Sequence, residues 1–456
     1  MNVPDPRALA AWREAVGGDH VLVDPDVVAG YSTDWTGRFR GDTPVVVRPA
    51  STAECAAVVA TCAEHGVALT VQGGNTGLVG GGVPLHGEVV LSLRRLGRLE
   101  VDRPAGQVTA GAGVTLGALQ RSAADAGWAY GVDLASRDSA TVGGTVATNA
   151  GGLRVLRHGD TRAQLVGVEA VLGTGAVVSH LGGLLKDNTG YDLAGLLCGS
   201  EGTLAVVTAA RLRMVAPTPE RVVALLAFDD VGPALGAAAE LRLGLASLAA
   251  AEVFFDAGLD LVCRVAGLAR PFAAPHPAYL LVEAAAAADP AAELAGAVEA
   301  LGAVADVAVA AGSSRAAELW RYREAHTEAI NTLGAPHKLD VTLPAGALAD
   351  FIARVAAVVG DVAPEASVWL FGHAAESNVH VNLTGLAVDD ERPDDAVLAL
   401  VAAMGGSISA EHGIGTAKRR WLALNRTPAE LVAFAAIKRA LDPDRVLSPH
   451  VLLPAP

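Results

Sequence analysis

The sequence predicts an α+β protein of at least two domains, and three observations lead to that prediction. The chain has 456 residues, more than one ordinary hydrophobic core holds. Short apolar segments typical of strands alternate with segments of helical periodicity. Near residue 215 the composition changes from glycine-rich loops to alanine-rich helices. We therefore expect one domain over residues 1–215, a second over 216–424, and a helical segment over 425–456 that returns to the first.

In the first domain, PVVVRP at residues 44–49 predicts a strand, and Ser51 with Glu54 predicts a capping box for a helix that ends near Gly66. The strand VALTV then leads into a glycine-rich loop. Further strands (EVVLSL and QVTAGAG) and a helix over residues 115–126 follow. Three loops concentrate the small residues, at 73–82, 143–152 and 187–208.

From Arg221 onward the predicted strands are RVVALLAF, AAEVFF, AYLLVEA and ADVAVAA. Helices are predicted between them, over residues 232–243, between AAEVFF and AYLLVEA, and over residues 290–301. This order is close to a ferredoxin-like β-α-β-β-α-β arrangement, which would cap the first domain. A helix around Trp320 follows, and Thr427 with Glu430 predicts a capping box at the last helix.

Composition excludes several classes of partner. The formal net charge is −15, and both nucleic acid and an anionic membrane surface require a basic footprint. No apolar stretch reaches the roughly 18 residues of a membrane-spanning helix, and we expect a cytoplasmic protein without a signal peptide. The four cysteines, Cys55, Cys62, Cys198 and Cys263, have no C-x-x-C spacing, so we expect reduced, buried thiols instead of a metal cluster.

The segment GGNTG at residues 73–77 can present consecutive backbone N–H groups to a phosphate. It matches neither G-x-x-x-x-G-K-[ST] nor a G-x-G-x-x-G that opens a helix. Taken alone, the segment is as typical of a tight structural turn as of a phosphate site.

A second polar constellation lies in VHVNL, where the strand period places His380 and Asn382 on one face. His373 precedes it, and Glu411 and His412 follow in SAEHGIG. Two imidazoles and a carboxylate suit Zn²⁺ or a similar cation. The alternative is a set of hydrogen-bonded histidines at a domain interface.

The glycine-rich loops together resemble the FAD-binding domain (PCMH type) of the vanillyl-alcohol oxidase superfamily. The similarity is to its branch of D-lactate, glycolate and D-2-hydroxyglutarate dehydrogenases, through GGNTGLVGG, GGTVATNAGG, DNTGYDL and GSEGTLAVVT. Asn75 occupies the position at which relatives with covalent flavin have histidine, so the resemblance implies dissociable FAD. Ala205 departs from the glycine of the family. The implied FAD-binding residues are Gly73, Gly74, Asn75, Thr76, Gly77, Leu78, Ser139, Thr141, Gly143, Gly144, Asn149, Gly151, Gly152, Glu201, Gly202 and Val206.

The polar motifs of the second half resemble the same branch, which carries G-H-x-G-D-G-N-x-H-x-N and S-A-E-H-G. This match implies a divalent metal, with zinc expected, bound by His373, His380 and Glu411; it also implies His412 as the base and Asn382 as a substrate contact. The family's G-D-G is replaced by residues 375–377, although the spacing of the histidines is kept.

A third motif concerns the residues that would bind the carboxylate groups of a substrate. Arg323 and Thr327 are spaced to share one helix face, which by itself is equally typical of a surface arginine. The D-2-hydroxyglutarate branch has a similar R-E-x-x-T followed by a lysine, which is Lys338 in HKLDVTLP here. The resemblance implies that Arg323, Thr327 and Lys338 bind substrate carboxylates. Ser448 replaces a family asparagine.

The resemblance implies FAD-dependent oxidation of a D-2-hydroxy acid to the 2-oxo acid by hydride transfer to flavin, with D-2-hydroxyglutarate as the first choice. D-lactate or glycolate dehydrogenase is the alternative in the same class, and a non-catalytic flavin-binding subunit of a complex is the alternative in another. We expect an electron-transfer flavoprotein or a quinone as the electron acceptor. Nucleic acid is not expected as a partner, and a homodimer is the expected assembly.

Overall fold

The computed structural model describes residues 4–454, and its chain divides into two units. Unit 1 comprises the chain up to Ala216 and again from Glu411, and unit 2 is Pro217–Ala410. Residues 411–424, which the sequence analysis assigned to the second domain, therefore belong to unit 1. The physical reason is a half-buried carboxylate: Glu201 accepts hydrogen bonds from the backbone N–H groups of Ile414 and Gly415.

The regular elements are numbered in chain order. The strands are β1 Val21–Leu22, β2 Val46–Val47, β3 Leu69–Gln72, β4 Val89–Ser92, β5 Leu99–Asp102, β6 Gln107–Gly111, β7 Leu165–Leu172, β8 Val177–His180, β9 Ala205–Arg213, β10 Glu220–Phe228, β11 Leu248–Phe255, β12 Ala278–Ala286, β13 Asp306–Ala311, β14 His337–Thr342, β15 Ser367–His373 and β16 Asn378–Thr384. The helices are α1 Pro6–Val16, α2 Pro25–Val28, α3 Thr52–His65, α4 Leu116–Asp125, α5 Val142–Thr148, α6 Val155–His158, α7 Thr161–Gln164, α8 Leu193–Leu197, α9 Val231–Gly244, α10 Asp256–Ala266, α11 Ala291–Glu299, α12 Ser313–Glu324, α13 His326–Asn331, α14 Leu348–Val362, α15 Arg392–Ala403 and α16 Pro428–Leu441.

Unit 1 contains two sheets, each with its own apolar core. The order of the first is β1-β2-β4-β3, with β2, β4 and β3 parallel and β1 antiparallel at the edge. The second is an antiparallel sheet in the order β5-β6-β9-β7-β8. Trp12 and Leu91 are buried in the first core, and Leu119 and Leu212 in the second.

Local sequence signals explain where helix α3 begins and ends. Ser51 accepts a hydrogen bond from the backbone N–H of Glu54, as the capping box predicts. The second hydrogen bond of the predicted capping box is shifted by one residue: the Glu54 carboxylate accepts from the N–H of Ala50 instead of that of Ser51. Gly66 ends the helix in the left-handed region at φ 63°. The next strand, β3, then leads directly into the loop at Gly73.

Unit 2 is built on one antiparallel sheet in the order β13-β10-β12-β11-β15-β16-β14. Its first four strands follow the ferredoxin-like order, so the expected arrangement is confirmed. The sequence did not predict the extension of the same sheet by β15, β16 and β14. Helix α12 lies against β10, β12 and β13, and its last residues reach toward β11.

The helix predicted around Trp320 is interrupted. Helix α12 ends at Glu324, and α13 begins at His326 after Ala325. Arg323 and Thr327 therefore belong to two successive helices and not to one continuous face. No helix among residues 4–454 combines the length and the apolar character needed to cross a membrane.

The C-terminal helix α16 begins as predicted. Thr427 and Glu430 form both hydrogen bonds of a capping box, with Pro428 in the first turn. At the other end, Lys438 donates hydrogen bonds to the carbonyls of Thr203 and Leu447 and pairs with Asp442. These buried hydrogen bonds attach helix α16 to the rest of unit 1. All four cysteines are free and buried, as expected.

Candidate functional site

The glycine loop of unit 1 follows β3 and packs backbone to backbone against residues 139–141. A Cβ atom at Gly73 would collide with the Thr141 hydroxyl, and one at Gly74 with the Ser139 carbonyl, so only glycine allows this approach. Asn75 adopts a left-handed conformation at φ 56°. Beside it, a Cβ at Gly77 would meet no atom within 4 Å. Gly77 thus borders open space between the half-buried Thr76 and Leu78, which fits a phosphate cradle.

The second loop is organised around α5. Thr141 caps this helix by accepting a hydrogen bond from the N–H of Gly144, and Gly143 packs against Ala112. Asn149 ends the helix at φ 51°. The Asn149 amide donates to Asp160 at 2.7 Å and accepts from the N–H of Arg162 at 2.9 Å. Because both the amide nitrogen and the amide oxygen of Asn149 are hydrogen-bonded within the protein, this side chain stabilises the loop before Gly151 and Gly152.

Two carboxylates of unit 1 connect these loops to the segment around His412. Glu411 accepts a hydrogen bond from the N–H of Gly152 at 3.1 Å. Glu201 accepts from Ile414 and Gly415 at 2.9 and 2.6 Å. Burial raises the pKa of Glu201, more than these hydrogen bonds lower it. The base expected from the sequence therefore lies in a segment held on both sides.

The other residues expected at the cofactor differ in placement. Gly202 follows Glu201 at φ 72°, and a Cβ there would lie 3.4 Å from the Val71 side chain of β3. Val206 is fully buried in the apolar core of the first sheet, where its side chain packs with Val171. Ala205, where the family has glycine, lies in the second core.

Sequence reasoning missed two residues beside the glycine loop. Arg94 donates hydrogen bonds to the carbonyls of Gly73 and Gly74 at 3.3 and 3.1 Å, and brings a positive charge to the loop. Trp35 donates its indole N–H to the carbonyl of Thr76 at 3.1 Å. Each partner is distant in sequence, so no local pattern indicated either contact.

In unit 2, strand register collects polar side chains on one face of the sheet. Three opposite pairs join β14 to β16 on this face: Lys338 with Asn382, Asp340 with His380, and Thr342 with Asn378. Opposite residues on antiparallel strands lie on the same face. On β15, His373 lies opposite Asn378, and on β11 Glu252 lies opposite His373. We call this surface, from Lys338 to Glu252, the polar face.

His373 and His380 are neighbours on the polar face, with ring centroids 5.3 Å apart and planes at 81°. Each ring has a buried carboxylate beside Nδ1. Glu252 Oε1 lies 2.7 Å from His373 Nδ1, and Asp340 Oδ1 lies 3.3 Å from His380 Nδ1. A carboxylate beside Nδ1 is the usual companion of a metal-binding imidazole, and both rings have one.

Arg323 is buried, at 5% exposure, which excludes the alternative of a surface arginine. A terminal nitrogen lies 2.8 Å from Glu252 Oε2, and the guanidinium lies over the ring of Phe371. Its Nε has no hydrogen-bond partner among residues 4–454. Burial raises the pKa of Glu252, but the charges of His373 and Arg323 outweigh it and hold the pKa below its ordinary value. Thr327 is half-buried on α13.

At the other end of the polar face, burial lowers the pKa of Lys338 to about 8. Asn382, opposite Lys338, is 3% exposed, and its Nδ2 donates to no atom of the described chain. A buried amide donor without a partner is costly unless a ligand accepts from it. A lysine with such a donor fits a carboxylate.

Glu252, Asp340 and His326 were not predicted. Glu252 is the lone acid in the apolar strand LAAAEVFF, and a buried charge requires a partner, so its isolation was a usable signal. Asp340 is fully buried and accepts from the amide of Asn378. Burial, assisted by the charge of Arg323, lowers the pKa of His326 to about 3 and keeps that ring neutral.

Unit 1 carries an open glycine loop and unit 2 a polar sheet face, and two family matches make this chain a two-domain flavoprotein. Residues 43–180 match the FAD binding domain family, and residues 218–452 match the family described as FAD linked oxidases, C-terminal domain. The chain belongs to the FAD-linked oxidases, which confirms the family identified from the sequence.

Named relatives are similar over nearly the whole chain. D-2-hydroxyglutarate dehydrogenase of Xanthomonas citri pv. viticola is 37% identical, covering 98% of this chain and 97% of the relative. The mitochondrial D-2-hydroxyglutarate dehydrogenase of Bos taurus is 36% identical, covering 98% and 83%.

Solved structures agree in fold at low sequence identity. p-Cresol methylhydroxylase with bound substrate has a TM-score of 0.79 at 16% identity, covering 97% of this chain and 96% of that one. 4-Ethylphenol oxidase from Gulosibacter chungangensis has a TM-score of 0.76 at 19% identity, covering 99% of both chains. The expected vanillyl-alcohol oxidase type fold is thereby confirmed.

Proposed function

We propose that this flavoprotein oxidises a D-2-hydroxy acid to the 2-oxo acid, with D-2-hydroxyglutarate as substrate. The observation that carries the proposal is the polar face, where a lysine and an unsatisfied amide donor lie at one end and two paired imidazoles at the other. A hydroxy acid with a second, distal carboxylate matches these two ends. The relatives named above are D-2-hydroxyglutarate dehydrogenases, which supports this choice.

Two groups from outside the chain complete the site. FAD would be held by the glycine loops, and when bound it would supply a hydride acceptor. A divalent cation, with Zn²⁺ as our choice, would be held by His373, His380 and Glu411 and would acidify the 2-hydroxyl.

The remaining steps belong to side chains of this protein. We assign to His412 the role of the base that accepts the proton of the 2-hydroxyl. Lys338 pairs with the distal carboxylate, and the Asn382 amide donates to a substrate oxygen. The Nε of Arg323 and the hydroxyl of Thr327 complete the donor set. We propose an electron-transfer flavoprotein or a quinone as the acceptor that reoxidises the flavin.

The test is anaerobic mixing of the purified holoprotein with D-2-hydroxyglutarate, L-2-hydroxyglutarate, D-lactate and glycolate while the flavin absorbance is followed. We expect D-2-hydroxyglutarate to bleach the flavin fastest. Faster bleaching by D-lactate or glycolate would assign the enzyme to monocarboxylates. Absence of bleaching by every acid would favour a non-catalytic flavin subunit.

A further inference from the structure

One carboxylate, that of Glu252, contacts two side chains to which the proposed function gives separate tasks. Its Oε1 lies 2.7 Å from Nδ1 of His373, and its Oε2 lies 2.8 Å from the guanidinium of Arg323. The carboxylate is 1% exposed. We propose that Glu252 is a positioning residue that orients His373 for metal binding and couples it to Arg323. This inference rests on the metal site of the proposed function.

The contact with His373 decides which ring nitrogen can bind a cation. A carboxylate can only accept at this contact, so Nδ1 of His373 carries the hydrogen. In the neutral ring the lone pair is then on Nε2, which is the form a metal requires. Glu252 also fixes the plane of the ring, which is edge-on to His380. Loss of the acceptor would release both the tautomer and the orientation.

The contact with Arg323 decides the charge around that cation. The guanidinium is buried, so without Glu252 its positive charge would be uncompensated close to the proposed metal. Glu252 neutralises it and still leaves Nε of Arg323 without a partner in the described chain. One carboxylate therefore supports the metal ligand and limits repulsion between Arg323 and the cation.

A purely structural ion pair is the alternative, and Glu283 provides the matched control for it. Glu283 lies on β12 in the same sheet, is 2% exposed, and accepts a hydrogen bond from Trp320 of helix α12 at 2.9 Å. It also pairs with Arg221 at 3.5 Å. It resembles Glu252 in burial and in bonding to α12, and its partners Trp320 and Arg221 lie outside the proposed metal site.

The experiment measures Zn²⁺ affinity of metal-stripped holoprotein by competition with a chromophoric chelator, with flavin content and thermal unfolding as checks of folding. We expect Glu252→Gln to bind Zn²⁺ about 10–100-fold more weakly. Glu283→Gln should bind it like the wild type. Unchanged affinity in Glu252→Gln, or an equal loss in Glu283→Gln, would overturn the inference.

A double variant keeps the test decisive if Glu252→Gln does not fold. Glu252→Met with Arg323→Met replaces a buried ion pair by apolar side chains, an exchange that is often neutral for stability. It leaves the net charge unchanged and removes the acceptor of His373 together with the buried charge of Arg323. We expect roughly tenfold weaker Zn²⁺ binding or more, and wild-type affinity would refute the positioning role. If the wild type binds no Zn²⁺, the proposed metal site is wrong and this inference fails with it.

Discussion

Glu201 and Gly415, 214 residues apart in the chain, are joined by a hydrogen bond of 2.6 Å from the backbone N–H of Gly415 to the Glu201 carboxylate. Gly413, whose φ is 82°, approaches the same carboxylate so closely that a Cβ there would lie 3.0 Å from it. The sequence resemblance placed Glu201 at the cofactor. In the structure its carboxylate binds the turn that follows His412, and the cofactor contact stays a prediction.

We therefore predict that Glu201→Gln impairs catalysis more than flavin binding. The amide can accept only one of the two backbone hydrogen bonds, and an unsatisfied buried donor costs about 1–3 kcal/mol. If that cost falls on the reactive position of His412, kcat should fall by about tenfold or more. Flavin reconstitution of the apoprotein and kcat per bound flavin separate the two effects. A loss of flavin affinity with unchanged kcat per bound flavin would show that Glu201 acts in flavin binding.

Asn75 makes a prediction about the flavin linkage. Its left-handed φ of 56° is one that asparagine tolerates, and its amide donates to the carbonyl of Thr33 at 2.9 Å. It also lacks the nucleophilic ring nitrogen that a histidine would offer. Acid precipitation should therefore release all the FAD into the supernatant. Yellow colour that remains with the denatured pellet would contradict the prediction.

Lys438 makes a prediction about stability. It is buried beside Asp442, and its ammonium group also holds the carbonyls of Thr203 and Leu447. Removing one partner of a buried pair usually costs about 3–5 kcal/mol. Lys438→Met should lower the free energy of unfolding by about that amount, as measured in urea. Arg439→Met, at the exposed next position of the same helix, is the control; equal effects of the two changes would refute the assignment.

The sequence predicted those parts of the structure whose signals are local. The Thr427 capping box depends on residues three apart, and the alternation of VHVNL alone placed His380 and Asn382 together. The parts it missed depend on partners remote in sequence. Glu252 meets His373 across 121 residues, and no periodicity encodes that strand pairing. The helix break at Ala325 was missed because helical spacing continues through it.

His380 makes a prediction about metal dependence. We expect His380→Ala to lose bound divalent metal and turnover together, because it removes one of three proposed ligands. His276→Ala is the matched control, since His276 is also paired with an aspartate, Asp229 at 3.2 Å, but lies outside the polar face. Metal analysis and turnover of both variants test this. Full activity of chelator-treated, metal-free wild type would contradict it.

Lys338 makes the last prediction, which concerns specificity. If its ammonium group pairs with the distal carboxylate, D-lactate does not form that ion pair and leaves the Asn382 amide unsatisfied. Such mismatches cost about 1–3 kcal/mol for each group. The ratio of kcat/KM for D-2-hydroxyglutarate over D-lactate should then fall at least about tenfold in Lys338→Ala. An equal ratio in wild type and variant would mean that Lys338 only pairs within the protein.

The pH dependence gives an independent check of the same role. Burial lowers the pKa of Lys338 to about 8, so the free enzyme loses this positive charge as the pH rises through that value. Because kcat/KM reports groups of the free enzyme, its value for D-2-hydroxyglutarate should decline above about pH 8 while that for D-lactate does not. Lys338→Arg keeps a charge at every accessible pH and should abolish the difference between the two profiles. Parallel profiles for both acids in the wild type would show that the charge of Lys338 does not contribute to recognition. A decline that is confined to the dicarboxylate and absent from Lys338→Arg would show that this charge binds the distal carboxylate.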